Sequence, residues 1–132
     1  PAAPAAGQPP APASTALSNP LGYITVVENT FAYRQQLPLH EGDNLIGRRN
    51  KGTEVDVPID TNDPSMDRRH CYINVQPRRD GTLAFTLRDN NSSTGTFLQN
   101  SILGPKDRVR LSSGDIITLG ATTLIFLTPD EE

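Results

Sequence analysis

One stretch decides how this 132-residue chain folds: Asp63-Pro-Ser-Met-Asp-Arg-Arg-His-Cys-Tyr-Ile-Asn-Val75. In its second half apolar and polar side chains alternate, with Cys71, Ile73 and Val75 on one side, which is the period of a strand with one buried face. Its first half is a polar loop that contains a proline and two adjacent arginines. A basic loop that leads into a buried strand indicates a rigid scaffold presenting charge at its rim.

Two other loops resemble this one in kind. They are Gly47-Arg48-Arg49-Asn50-Lys51 and Asn90-Asn-Ser-Ser-Thr-Gly-Thr96. Both combine glycine with side chains that donate hydrogen bonds, and both follow a run that reads as a strand. Whether the three loops converge at one end of the domain decides whether they can form a site.

Short β-like runs continue from Leu21 onward, with turn signals about every eight to twelve residues. Phe31 and Tyr33 are expected to anchor the second strand in the core, Pro58 predicts an edge position, and Asp80-Gly81 predicts a tight hairpin turn. No segment has a helical period. The sequence therefore predicts an all-β fold, an antiparallel β-sandwich of about eleven short strands, with a barrel as the second choice. The predicted strands are 23–27, 31–39, 44–48, 55–59, 70–76, 82–88, 96–98, 101–103, 109–111, 116–119 and 123–127.

The composition divides the chain into three parts. Residues 1–20 hold six of the twelve prolines and no charged side chain. Such a segment buries too little apolar surface to offset the entropy lost on ordering, so we predict a disordered Pro/Ala-rich linker. Residues 21–129 form the predicted domain, and 130–132 a short acidic tail. A linker implies that the domain belongs to a larger protein and is tethered to its other domains.

Composition also disfavours several classes of partner. The net charge of −3 disfavours nucleic acid, whose binding domains carry a basic excess. A basic rim could still take nucleic acid or a glycan, which salt-dependent retention on DNA would reveal. No apolar run is long enough to span a membrane, so we expect no membrane contact. The compartment is not determined, although a cytoplasmic location is favoured over secretion.

Catalysis has little support in the sequence. The histidines, His40 and His70, have no neighbours at metal-ligand spacing, so we predict no metal and no cofactor. Cys71 lies on the apolar face of a strand and is predicted to be a core residue. Asp67, His70 and a serine could form a triad, but no nucleophile elbow or oxyanion loop accompanies them. We predict no catalytic residue.

Four blocks of sequence resemble the forkhead-associated (FHA) domain family at the family's spacings. The resemblance covers about residues 22–128 and implies an eleven-stranded β-sandwich that binds phosphothreonine peptides through loops at one end. The blocks are Gly47-Arg48, Arg68-Arg69-His70, Ser92-Ser-Thr-Gly-Thr-Phe97, and Ser113-Gly-Asp115 with Leu119-Gly120.

The resemblance also implies roles for single residues. Arg48 would be the phosphate fork, since a guanidinium matches the charge and the acceptor oxygens of a phosphate. Ser93 stands where the family's loop threonine supplies a donor. The phosphopeptide-binding rim would consist of Arg48, Asp67, Arg68, Ser93 and Thr94, and the residues that support its loops would be Gly47, His70, Asp89 and Gly95.

Two positions depart from the family pattern. Asp67 replaces the serine that binds phosphate, and Thr94 replaces the asparagine that reads the peptide backbone. Asp67 could turn away and pair with Arg69 or another arginine at the rim. It could instead pair with Arg48 in place of phosphate, or accept a donor from an unphosphorylated or basic peptide. We expect a phosphothreonine-recognition module, and the alternative is a protein-binding scaffold that needs no phosphate.

Overall fold

A computed structural model describes residues 20–129, which form eleven strands in two sheets and contain no α-helix. The predicted all-β sandwich is confirmed. The predicted linker, except for Pro20, and the acidic tail lie outside the described residues. The strands are β1 (Gly22–Val26), β2 (Gln35–Leu39), β3 (Gly42–Arg48), β4 (Val57–Ile59), β5 (Cys71–Pro77), β6 (Leu83–Asp89), β7 (Thr96–Leu98), β8 (Ser101–Ile102), β9 (Val109–Arg110), β10 (Ile116–Leu119) and β11 (Thr122–Leu127).

The two sheets contain six and five strands. The order is β2-β1-β11-β10-β7-β8 in the first sheet and β4-β3-β5-β6-β9 in the second. Every neighbouring pair is antiparallel except β3 and β4, where Ile46 lies opposite Val57 and Arg48 opposite Ile59. This one pair departs from the antiparallel pattern, because residues 49–56 carry the chain back before β4 begins. The edge position predicted from Pro58 is confirmed.

The core lies between the two sheets, where the inward-facing side chains of one sheet pack against those of the other. Phe85 of one sheet and Phe126 of the other pack together in it, with their ring centroids 4.8 Å apart. Cys71 is fully buried in this core, as predicted. Burial raises the pKa of its thiol far above the ordinary value, since the thiolate would have to form in an apolar interior. Cys71 therefore fills space as a small apolar side chain.

The segment before β2 differs from the prediction. Phe31 and Tyr33 are not core anchors, because they are 36% and 61% exposed. The side-chain oxygen of Asn29 accepts the backbone N–H groups of Phe31 and Ala32 at 2.8 and 3.0 Å. This turn keeps the chain out of the sheet until Gln35, and the tyrosine hydroxyl instead donates to Asp60 at the surface.

The first and last strands of the sandwich are neighbours. Tyr23 of β1 lies opposite Leu127 of β11, so the sandwich begins and ends at the same side. The other end of β11 begins at Thr122, whose hydroxyl donates to Asp63 in the loop between β4 and β5. This loop end and the end at which the chain enters are therefore separated by the length of β11.

No helix in residues 20–129 has the length and apolar character needed to cross a membrane.

Candidate binding site

The three loops singled out in the sequence converge at one end of the sandwich. The backbone N–H of Arg48, where β3 ends, donates to the carbonyl of Asp67 at 2.9 Å. From the loop after β6, the Asn90 side chain donates to the Arg69 carbonyl at 3.1 Å, and the Thr94 hydroxyl donates to the Ser65 carbonyl at 2.7 Å. The loop between β4 and β5 thus lies between the other two and contacts both.

Gly47 allows the first of these contacts. A Cβ atom placed there would lie 1.9 Å from the carbonyl oxygen of Arg68 and 2.4 Å from its carbon. Only a residue without a side chain lets the loop cross β3 so closely. The backbone of the arginine is thereby held against the strand, while its side chain is exposed at the rim.

Arg48 presents a guanidinium that is anchored on one side. Its Nε donates to the carbonyl of the buried Met66 at 2.9 Å, and the side chain is half-buried. Its two terminal nitrogens make no hydrogen bond and no ion pair with any residue in the described part of the chain. An arginine fixed through Nε keeps its fork available for a bidentate acceptor such as phosphate.

Asp67 turns its carboxylate toward the loop after β6. Its Oδ2 accepts the backbone N–H of Ser93 at 2.8 Å and the hydroxyl of the same serine at 3.3 Å. Within residues 20–129 it forms no ion pair with Arg48 or Arg69, so neither of the two expected pairings is found. The resemblance implies that Ser93 donates a hydrogen bond to phosphate. In this structure both donor groups of Ser93 bond to the Asp67 carboxylate instead.

His70 connects the two loops from inside. It is fully buried, and its Nδ1 accepts the backbone N–H of Asp67 at 3.0 Å. The hydrogen on the ring is therefore assigned to Nε2, which donates to the Gly95 carbonyl at 2.8 Å. Through these two hydrogen bonds the buried ring joins the loop before β5 to the loop after β6.

Asp89 organises the loop after β6. Its carboxylate accepts the Ser92 backbone N–H at 2.9 Å, and the hydroxyls of Ser92 and Thr96, each at 2.6 Å. Burial raises the pKa of the Asp89 carboxyl, but these donors outweigh burial and hold its pKa below the ordinary value. Gly95 completes the turn with a φ of 91°, a conformation that favours glycine.

Asp63 is a supporting residue that the sequence reasoning missed. It is fully buried, and Oδ1 accepts both the backbone N–H (2.9 Å) and the hydroxyl of Ser65. Its Oδ2 accepts the Ala121 N–H and the Thr122 hydroxyl, both at 2.8 Å. The signal in the sequence is Asp63-Pro-Ser65, since an aspartate often accepts from the backbone two residues later.

Replacing Asp63 with asparagine is expected to lower the stability and to flatten its dependence on acid pH. Burial raises the pKa of this carboxyl, but four hydrogen bonds outweigh burial and lower it. Because the pKa of Asp63 is lower in the folded state than its ordinary value of 3.8, the carboxylate stabilises the fold at pH values above 3.8. This stabilisation is lost as the pH falls through the lowered folded-state pKa. Urea denaturation at a series of pH values between about 2 and 7 measures this.

The matched control is Glu41→Gln, which removes an exposed carboxylate that makes no hydrogen bond within residues 20–129. Its stability curve should follow that of the wild type. If the free energy of unfolding falls equally steeply with acid pH in the wild type and in Asp63→Asn, Asp63 contributes nothing to the pH dependence.

The fold and its rim define a β-sandwich that carries a candidate site on three loops at one end. Within residues 20–129 there is no group of His, Cys, Asp and Glu that could hold a metal ion. The family model of the FHA domain matches residues 44–120, more than half of the chain. The chain belongs to the FHA domain family, whose members are in general non-catalytic interaction modules.

Several solved structures are similar to the chain, whereas no curated protein matches it. A structure from a study of phosphothreonine-dependent FHA domain interactions is 25% identical with a TM-score of 0.64, and the match covers 81% of this chain and 95% of that one. The FhaA FHA domain, solved with the intracellular domain of another protein, is 26% identical with a TM-score of 0.62, over 80% and 98%. An FHA domain of an Arabidopsis thaliana hypothetical protein is 25% identical with a TM-score of 0.64, over 83% and 86%.

Proposed function

We propose that this chain is a non-catalytic module that binds a phosphothreonine in a partner protein, with Arg48 as the phosphate fork. The observation that carries the proposal is the anchored and open guanidinium, at the point where three loops meet. A phosphate brings nearly two negative charges and three strong acceptors, which suit that fork. The similar FHA domain solved in a study of phosphothreonine-dependent interactions supports the same ligand class.

The other rim residues would contribute unequally. The exposed side chain of Arg68 is suited to long-range attraction of the phosphopeptide. The Thr94 hydroxyl already donates its hydrogen to Ser65, so it can only accept a hydrogen bond from a peptide. Ser93 donates to Asp67, so its hydrogen bonds become available to phosphate only when the carboxylate gives way.

Replacing Arg48 with alanine is expected to weaken binding of a phosphothreonine peptide by about tenfold to a hundredfold, because a hydrogen bond to a charged group contributes about 1.5–3 kcal/mol. Calorimetric titration of matched phosphorylated and unphosphorylated threonine peptides from a library measures this. Arg48→Lys keeps the charge but loses the bidentate fork, and it should recover only part of the affinity.

The matched control is Arg79→Ala, which removes an exposed arginine near the hairpin turn between β5 and β6. This variant should bind as the wild type does. Equal binding of phosphorylated and unphosphorylated peptides, or no binding of either, would overturn the proposed function. If Arg79→Ala lost as much phosphopeptide affinity as Arg48→Ala, Arg48 would contribute only through the overall charge of the domain and not through a specific contact.

A second candidate function is protein binding that needs no phosphate. One specific observation favours it: the Asp67 carboxylate occupies both donors of Ser93, as an internal substitute for a phosphate oxygen. A partner would then contact the rim without a phosphate, or would donate to the free carboxylate oxygen. The two candidates differ in whether phosphate on the threonine changes the affinity, and in the response to replacing Asp67.

A further inference from the structure

The outer face of the six-stranded sheet is unusual for a surface in water. We define this face by the outward side chains of β1, β2, β11, β10, β7 and β8, as the strand register and burial place them, together with Val27, which directly follows β1. None of these side chains is charged. Three of its large apolar side chains are well exposed: Ile102 at 59%, Ile116 at 42% and Val27 at 38%.

The other sheet shows the contrast. Its outward positions include Asp43, Arg88 and Arg110, and the first two form an ion pair at 3.3 Å. A sheet with one face in water normally carries polar side chains on that face, as this second sheet does. An extended apolar surface without charge is typical of a protein–protein interface.

A groove lies in the outer face of the six-stranded sheet, beside β1 and β11. Its volume is about 360 Å³, and apolar parts of Val27, Ile125 and Leu127 line it. Thr25 also lines the groove. It is only 7% exposed, and its hydroxyl has no hydrogen-bond partner among residues 20–129. A buried hydroxyl without a partner costs stability.

We propose that this outer face binds a second copy of the chain in an isologous dimer. In such a dimer the same surface of both copies meets, and every contact occurs twice, once on each side of the two-fold axis. Strands without charged outward side chains can meet in this way without bringing like charges together.

The charges at the border of the groove favour the same occupant. Glu28 and Arg34 lie outside the strands that define the face, in the segment between β1 and β2, and both line the groove. Both are exposed, and neither forms an ion pair within residues 20–129. A groove with one negative and one positive residue can pair with the same groove of a second copy, because each charge then meets its opposite. A two-fold axis through the face brings Glu28 of one copy toward Arg34 of the other, and repeats the pair on the opposite side of the axis.

The size of the face predicts a weak dimer. The strands of this sheet range from two residues in β8 to six in β11. At about 3.3 Å per residue along a strand and about 4.8 Å between strands, the face covers roughly 400 Å² in each copy. Two copies together then bury roughly 800 Å², below the size of a standard stable interface. We therefore expect a monomer–dimer equilibrium that depends on concentration rather than a permanent dimer.

Sedimentation velocity of the full 132-residue chain tests the dimer. Between about 5 and 500 µM, the mean mass should rise from that of a monomer toward that of a dimer. Ile116→Lys places a charge on the face and should keep the chain monomeric over this range. Its matched control is Thr86→Lys, which adds the same charge to the outer face of the other sheet and should dimerise as the wild type does. Thermal denaturation confirms that both variants are folded.

Charge exchange tests the two-fold arrangement. Glu28→Arg alone and Arg34→Glu alone should each weaken the dimer by severalfold, and the double exchange should restore it. A wild type that stays monomeric throughout would overturn the proposal, as would a dimer that persists in Ile116→Lys. A double exchange that fails to restore association would overturn the proposed isologous pairing. None of these outcomes depends on phosphopeptide binding.

Discussion

Replacing Asp67 with serine is expected to raise the affinity for a phosphothreonine peptide by about tenfold or more. In the wild type the Asp67 carboxylate holds the backbone N–H and the hydroxyl of Ser93, which are donors that a phosphate would need. Each hydrogen bond to the phosphate contributes about 1.5–3 kcal/mol. A carboxylate about 4 Å from the phosphate adds repulsion of about 1 kcal/mol in water and about 4 kcal/mol at an effective dielectric constant near 20. Calorimetric titration with one peptide, with and without its phosphate, measures the gain.

Asp67→Asn separates the two contributions. Its amide oxygen can still accept the Ser93 N–H, but the negative charge is gone. It should therefore gain only the part of the affinity that comes from repulsion, and lie between wild type and Asp67→Ser. If Asp67→Ser binds the phosphopeptide no better than the wild type does, Asp67 does not block the site. Equal binding of both peptides by both proteins would instead favour the function that needs no phosphate.

Gly47→Ala is expected to destabilise the domain by about 3 kcal/mol or more, at the upper end of what overpacking costs. The new Cβ would lie 1.9 Å from the carbonyl oxygen of Arg68. The obstacle is backbone, and the loop it belongs to is tied down on both sides by the contacts of Asp67 and His70. The loop must move as a whole, so phosphopeptide binding should fall as well. The melting temperature should drop by about 10 °C or more.

Gly104→Ala is the matched control for this substitution. Its new Cβ would lie 3.0 Å from a carboxylate oxygen of Asp107, the end of a side chain that can move aside. Both glycines lie outside the positive-φ region, so backbone conformation does not distinguish them. Thermal and urea denaturation should therefore show a much smaller loss for Gly104→Ala. Equal losses would mean that the β3 strand adapts to a side chain at position 47.

Local patterns predicted most of the fold. The alternation from Cys71 to Val75 identified β5, and Asp80-Gly81 identified the hairpin that follows it, because both signals depend on near neighbours in the chain. The parallel pairing of β3 with β4 was not predictable in this way. It depends on the path of residues 49–56, and Asp56 contributes by accepting the Leu45 N–H from the neighbouring strand at 2.8 Å.

In the site, too, some features could be predicted from neighbouring residues in the sequence and others could not. The rim residues could be named from motifs, but the partner of Asp67 could not. Two arginines follow it directly in the sequence, yet its carboxylate bonds to Ser93, which is 26 residues away along the chain. A hydrogen-bond partner from another loop is set by the packing of the two loops. Phe31 illustrates the same limit, since its apolar character suggested the core while the Asn29 turn placed it at the surface.

The adjacency of β1 and β11 has a mechanical consequence. Tyr23 lies opposite Leu127, and the two antiparallel strands therefore have their outer ends side by side. A force that pulls on both ends of the domain acts across the strand pair and opens its hydrogen bonds one after another, starting at Tyr23, instead of loading them all together. Tension on both ends of the domain would thus open this strand pair from the end remote from the rim, and the end of β11 at Thr122, which contacts the loop of Asp63, would be the last part of the pair to carry the load.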